Sequence, residues 1–316
     1  MEIKWIHQSE APLRLYGVWG ENQKQELVSY WAAAQLEIGF TGSILLIDAG
    51  IQGDIQVSLD GERTQPVICY GMMNIKAAPG SHSLHITVQS PSRLALRAMG
   101  VEGTEQLLEL PKRPYIHFIG DSITHNYPGF SYRTGEALGC AYSIVAYCGI
   151  SLVDGWGWYE PPKDVKERPG MESMYFRREF PHEGPPYTEY SFSRLQHPDW
   201  IVQFLGTNDY LNNEAHRRSG HIERYAEHAQ CFVQKITKHF PHAHWFIMKA
   251  LTDRCCRNES IESAFERICA SGISADLIPA DTWEVEISKD GTHPTPRGYE
   301  RLSERLVQYL WAHNGQ

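Results

Sequence analysis

Tyr115-Ile116-His117-Phe118-Ile119 is a short apolar run, and Gly120-Asp121-Ser122-Ile123-Thr124 follows it directly. An apolar run closed by a glycine and small polar residues reads as a buried strand that turns at once into the start of a helix. The pattern recurs. Trp200-Ile201-Val202-Gln203-Phe204-Leu205 runs into Gly206-Thr207-Asn208-Asp209, and His244-Trp245-Phe246-Ile247-Met248 is a third such run. Between the last two, Ile222, Tyr225, Ala226, Ala229, Phe232, Val233 and Ile236 share one face of a 3.6-residue helix. Leu302, Leu306, Val307 and Leu310 mark a closing helix. Buried strands alternating with amphipathic helices predict an α/β domain with a parallel sheet covered on both faces.

Upstream the period changes. Leu36, Ile38 and Phe40 alternate with Glu37 and Gly39. Ile55, Val57 and Leu59 alternate and meet Asp60-Gly61, a hairpin signal, and Leu84, Ile86 and Val88 alternate again. Period two with one apolar face predicts a small all-β sandwich or jelly roll over residues 1–108, with the α/β domain spanning 109–316. Leu110-Pro111-Lys112-Arg113-Pro114 reads as the linker, because two prolines spoil either kind of element. Residues 156–195 carry Trp156, Trp158, Tyr159, Tyr175, Phe176, Phe180, Tyr187, Tyr190 and Phe192, broken by Pro161, Pro162, Pro169, Pro181, Pro185 and Pro186. A loop of that length is expected to serve function or contact.

Three strings carry chemistry. Ser122 projects from a strand-to-helix turn, where nucleophiles and ligands of α/β sheets sit. Read alone, Asp121-Ser122 is equally an ordinary helix cap. Asn208 offers a side-chain NH2 of the kind an oxyanion needs, although an Asx turn explains the string as well. His293, in Asp290-Gly291-Thr292-His293-Pro294, can shuttle a proton near neutral pH, and Asp290 stands three residues before it, in reach of its other ring nitrogen. A solvated loop histidine is the plain alternative, one of 15 in the chain.

Together and in this order, the strings resemble the SGNH (GDSL-like) hydrolases, named for a Ser, a Gly, an Asn and a His in four blocks. Gly120-Asp121-Ser122 matches the first block, Gly149 of Tyr147-Cys148-Gly149-Ile150-Ser151 the second, Gly206-Thr207-Asn208-Asp209 the third and Asp290-Gly291-Thr292-His293 the last. The resemblance covers residues 115–312 and implies a flavodoxin-like three-layer α/β/α domain of strand order 2-1-3-4-5. It implies Ser122 as nucleophile, His293 as base and Asp290 as its orienting acid. The oxyanion would be met by the backbone N–H groups of Ser122 and Gly149 and by the side chain of Asn208. Asp121 and Asp209 read as structural. With a β-domain in front, the chain is similar to the carbohydrate esterases of the family 2 acetylxylan esterase type, which implies an acetyl ester on a sugar hydroxyl as substrate. Trp156 and Trp158, soon after Gly149, are then the rings expected to stack on sugar, and segment 156–195 is alternatively a lid or a homo-oligomer contact. Other esters (lipid, thioester, aryl) are the rival substrates. A carbohydrate-binding module on a dead hydrolase fold is the rival class, which the intact Ser122, Asn208 and His293 oppose.

The bulk numbers set limits. A chain of 316 residues, 42% hydrophobic and 21% charged, buries a large core without staples. A net charge of −9 without a basic stripe argues against nucleic acid. No apolar run reaches the roughly 18 residues of a membrane helix, so no membrane partner is expected. Seven cysteines in no framework spacing, and a Met1–Ile6 start unlike a secretory leader, lead us to expect the cytoplasm and short acetylated oligosaccharides as substrate. Cys255-Cys256 reads as ordinary thiols rather than a redox pair. His239, His242 and His244 around Pro241 raise a zinc reading, but with no carboxylate between them a polar helix end is the simpler account; neither metal nor cofactor is expected.

Overall fold

The computed structural model describes residues 2–64, 67–69, 71–89, 92–159, 168–181, 187–211, 220–253 and 257–314. Pro161, Pro162, Pro185, Pro186, Cys255 and Cys256 lie outside them. The chain forms two compact units: Met1–Arg113 with Glu189–Gln196, and Pro114–Thr188 with His197–Gln316.

The second unit is the α/β one. Its strands are β1 (Tyr115–Gly120), β2 (Ala141–Ala146), β3 (Trp200–Phe204), β4 (His244–Met248) and β5 (Ala275–Ile278). All pair in parallel, in the order β2-β1-β3-β4-β5. Every residue of β1 and β2 is buried, as a strand covered on both faces requires. Among the described residues the α-helices are α1 (Ser122–His125), α2 (Phe130–Leu138), α3 (Met171–Met174), α4 (Thr207–Leu211), α5 (His221–Thr237), α6 (Arg257–Ala270) and α7 (Pro296–Asn314). The chain steps one way from β1 to β2 and the other way from β3 to β5. Right-handed crossovers therefore put α2 on one face and α5 and α6 on the other. Consistently, α2 packs against α7, and α5 against α6. The face of α5 is the one the spacing predicts: Tyr225, Ala226, Ala229, Phe232, Val233 and Ile236 are buried, and Ile222, at the first turn, is only half-buried.

The first unit is an eleven-stranded sheet built on two long antiparallel strands, Gln35–Gln52 and Met72–Val88. Leu36, Ile38 and Phe40 are fully buried with Leu84, Ile86 and Val88. Asp60-Gly61 makes the expected two-residue hairpin between Ile55–Leu59 and Glu62–Thr64; both turn residues have positive φ, 52° and 85°, as a type I′ turn demands. Glu37, which alternation would send to solvent, is buried instead. Burial opposes its charge, yet His85 at 2.9 Å and Arg113 at 2.7 Å hold its carboxyl below the ordinary range. Residues 189–196, which the sequence grouped with the aromatic loop, belong to this unit: Leu195 bridges Leu15, and Arg194 donates to Gln8.

Candidate active site

Ser122 stands where β1 hands over to α1. Gly120 permits the turn, because a Cβ there would run into the Thr124 side chain and lie 3.0 Å from the Phe204 carbonyl oxygen. Asp121 caps the helix, its Oδ1 accepting from the Ile123 N–H at 2.9 Å. Burial pushes the Asp121 carboxyl up to about 6.

His293 comes from the loop before α7. That loop is tied down by backbone bonds from Ser288 N–H to the His293 carbonyl (2.7 Å) and from Gly291 N–H to the Ser288 carbonyl (2.9 Å). It brings His293 Nε2 to 2.8 Å from Ser122 Oγ, across 171 residues of chain, and Asp290 Oδ2 lies 2.7 Å from His293 Nδ1. The other Asp290 oxygen accepts from Thr292 N–H (2.8 Å), His293 N–H (3.0 Å) and Ser288 Oγ–H (2.8 Å). The Thr292 amide first, then the His293 ring and amide, hold this carboxyl well below the usual range. An ionised carboxylate only accepts, so Nδ1 must donate to it. In the neutral ring Nε2 is then the acceptor, and the Ser122 hydroxyl donates to it.

Gly149 and Asn208 follow β2 and β3, the two neighbours of β1, so the three blocks meet at adjacent strand ends. Gly149 has φ +78°, and a Cβ there would sit 2.9 Å from the Tyr159 nitrogen. Asn208 is buried and donates one Nδ2–H to the Ile150 carbonyl at 2.8 Å, which fixes the amide beside Gly149; its second Nδ2–H is not used by that bond. Asp209 ties the same two loops together, accepting from Leu152 N–H (2.9 Å) and Val153 N–H (3.0 Å), and burial pushes its carboxyl up to about 7.

The two tryptophans part company. Trp158 is 49% exposed, and its backbone N–H donates to the Gly149 carbonyl at 2.7 Å. Trp156 is 1% exposed, so it offers no face to a sugar and is a core residue, contrary to the expectation from sequence. The sequence also missed a cavity of about 340 Å³ lined by Asn126, Tyr127, Pro128, Arg133, Pro294, Pro296 and Tyr299. Pro294 adjoins His293, and Asn126 ends the helix that Ser122 begins. Its walls come from two distant segments, and the one signal in the chain was proline beside both motifs. The run His239, His242, His244 does not converge: His239 lies against Phe176, while His244 turns to Asp276 and His313.

No protein-family model matches the chain, and a search of curated proteins gives no match. Solved structures do match. A carbohydrate esterase family 2 enzyme plus carbohydrate binding domain from Corynascus thermopiles (Myceliophthora fergusii) is 22% identical, with a TM-score of 0.69 over 96% of this chain and 100% of that one. An acetyl xylan esterase from the rumen bacterium Butyrivibrio proteoclasticus is 18% identical, with a TM-score of 0.68 over 100% and 99%. The chain has the fold of these family 2 carbohydrate esterases. A salicylyl-acyltransferase from a tetracycline biosynthetic pathway shares this fold at 13% identity, with a TM-score of 0.63 over 99% and 98%. The fold therefore supports more than one acyl acceptor, and the site must decide.

Proposed function

We propose that this chain is a serine esterase that removes acetyl groups from carbohydrates of the xylo-oligosaccharide kind. The observation that carries the reading is the relay Ser122 Oγ–His293 Nε2–His293 Nδ1–Asp290, at 2.8 and 2.7 Å, in a tautomer fixed by an ionised carboxylate. His293 takes the hydroxyl proton as Ser122 attacks the ester carbonyl, and the resulting imidazolium faces Asp290. The oxyanion is met by the Ser122 and Gly149 N–H groups and the remaining Asn208 Nδ2–H; losing one such donor costs about 3–4 kcal/mol of barrier. His293 then passes its proton to the departing sugar hydroxyl, and a water activated by the same ring releases acetate. Exposed Trp158 supplies the sugar-stacking face. On this reading the front unit is a jelly-roll companion domain, the enzyme works in the cytoplasm with its free cysteines Cys140, Cys148, Cys231 and Cys269 reduced, and the segment 156–195 is where a second copy would dock.

One observation favours a second reading. The cavity at Pro294, the residue after His293, is walled by Tyr127, Tyr299 and three prolines, with Asn126 and Arg133 as its polar members, which suits an aryl or longer acyl group. Initial rates on 4-nitrophenyl acetate, butyrate and octanoate, with acetate release from acetylated xylo-oligosaccharides, separate the two. Dominant acetyl activity with acetate released from sugar is expected. Octanoate preference with sugar untouched transfers the assignment to the second reading. Ser122→Ala should lower kcat by about 10⁴-fold or more, and a variant that keeps its rate ends both.

A further inference from the structure

His244 opens β4, Asp276 is the second residue of β5, and His313 lies in the last turn of α7. The three converge on one atom. Asp276 Oδ2 lies 2.6 Å from His244 Nε2 and 2.7 Å from His313 Nε2, and all three atoms fall within 4.8 Å of one another. Their side chains are 28%, 33% and 34% exposed, open to an ion yet not free to swing. Phe246 packs edge-on against both imidazoles, at 4.8 and 5.2 Å between ring centroids, and Tyr309, one turn before His313, stacks on it at 17°. Ser274 Oγ lies 2.8 Å from His244 Nδ1.

We propose that His244, Asp276 and His313 form a binding site for a divalent transition-metal ion of the zinc type. Two imidazole nitrogens and one carboxylate oxygen are a donor set that Zn²⁺ accepts with a water in the fourth position, whereas Ca²⁺ and Mg²⁺ take oxygen ligands. Ligands about 2.0 Å from a tetrahedral zinc stand roughly 3.3 Å apart, so each ring draws back from the carboxylate by about 0.6–0.7 Å while the two Nε2 atoms, within 4.8 Å in this arrangement, settle to the same spacing. The metal takes the lone pair of each Nε2, so each ring carries its proton on Nδ1. For His244 that proton is accepted by Ser274 Oγ, the outer partner that orients a metal-binding imidazole. The site stands at the amino ends of β4 and β5, whereas Ser122 and Asn208 follow the carboxyl ends of β1 and β3 in the same parallel sheet. The ion therefore takes no part in ester chemistry. It clamps the last turn of α7 to two strands.

The test uses the full chain, stripped of metal with EDTA and dialysed, then titrated with Zn²⁺ by calorimetry and with Co²⁺ by visible absorbance at room temperature. One ion per chain is expected, with a rise in Tm on Zn²⁺ addition and an unchanged rate on 4-nitrophenyl acetate. His313→Ala and Asp276→Asn should each weaken binding at least about tenfold, since each removes one of three ligands; His242→Ala, an exposed histidine two residues from His244, should leave it unchanged. Because absorbance is read well below unfolding, a lowered Tm in a variant does not obscure the result. Failure of the wild type to bind one equivalent, or equal binding by His313→Ala, would overturn the proposal and leave the cluster a hydrogen-bonded one.

Discussion

Asp290 uses both of its oxygens, one for the His293 ring and the other for the Thr292 and His293 amides. An asparagine there has one acceptor for two tasks. With its NH2 toward the ring, Nδ1 must become the acceptor, and Nε2 is then protonated and cannot take the Ser122 proton. With its oxygen toward the ring, the NH2 opposes two amide N–H groups. Asp290→Asn should therefore lower kcat/KM by about 10²–10⁴-fold with KM little changed, as measured on 4-nitrophenyl acetate. Asp121 makes a prediction about pH. Its carboxyl is raised by burial from 3.8 to about 6, so between those values the folded chain holds a proton that the unfolded chain has released. The stability it contributes is complete below 3.8 and is lost as pH rises through about 6. In Asp121→Asn the side chain is neutral throughout and still accepts from the Ile123 amide. The stability of Asp121→Asn from urea denaturation should gain on wild type by about 3 kcal/mol between acid and neutral pH. Parallel profiles would show that Asp121 is not the buried charge described.

At the scale of elements, the loop after β2 is shaped by what glycine allows. Gly149 combines φ +78° with a Cβ position 2.9 Å from the Tyr159 nitrogen, and Gly157 packs so that a Cβ would lie 2.8 Å from the Gly149 carbonyl. Gly149→Ala must move the peptide whose N–H is proposed as an oxyanion donor. We expect kcat/KM to fall about 10–100-fold while thermal stability drops by about 1–2 kcal/mol, measured by rate assay and by differential scanning fluorimetry. Three of the five parallel strands, α5 and α7 were legible in the sequence, because their apolar runs and helical spacing are plain and the three strings follow strand ends or precede α7; β2, β5, α2 and α6 were not read from the residues. What was hidden came from partners far apart in the chain. Alternation in a loop does not tell that Trp156 points inward and Trp158 outward. The cavity beside His293 needs residues 126–133 to meet 294–299. His244 reads as one of a local trio until β5 and α7 bring it Asp276 and His313.

At the scale of the whole molecule, the chain passes between the two units three times, because residues 189–196 leave the α/β unit for the β unit and return. The flanks are fixed in the α/β unit: Thr188 N–H donates to Glu179 at 2.7 Å, and Asp199 accepts from the Tyr115 N–H at 2.9 Å. The segment itself is held in the β unit by the Gln196 N–H bond to the Leu15 carbonyl (2.8 Å) and by Arg194, whose two terminal nitrogens donate to the Gln8 side-chain oxygen at 2.7 Å and the Gln8 carbonyl at 2.8 Å. Gln8 is fully buried, so removing the guanidinium strands two acceptors away from water. A buried acceptor left unmade costs about 1–3 kcal/mol. Arg194→Ala should therefore lower stability by about 2–4 kcal/mol, and Arg194→Lys by about half that, since an ammonium does not reproduce the planar fork. Urea denaturation followed by tryptophan fluorescence reads both. A loss within about 0.5 kcal/mol for the alanine variant, the range of ordinary surface changes, would mean that the segment only lies on the β unit and does not complete it.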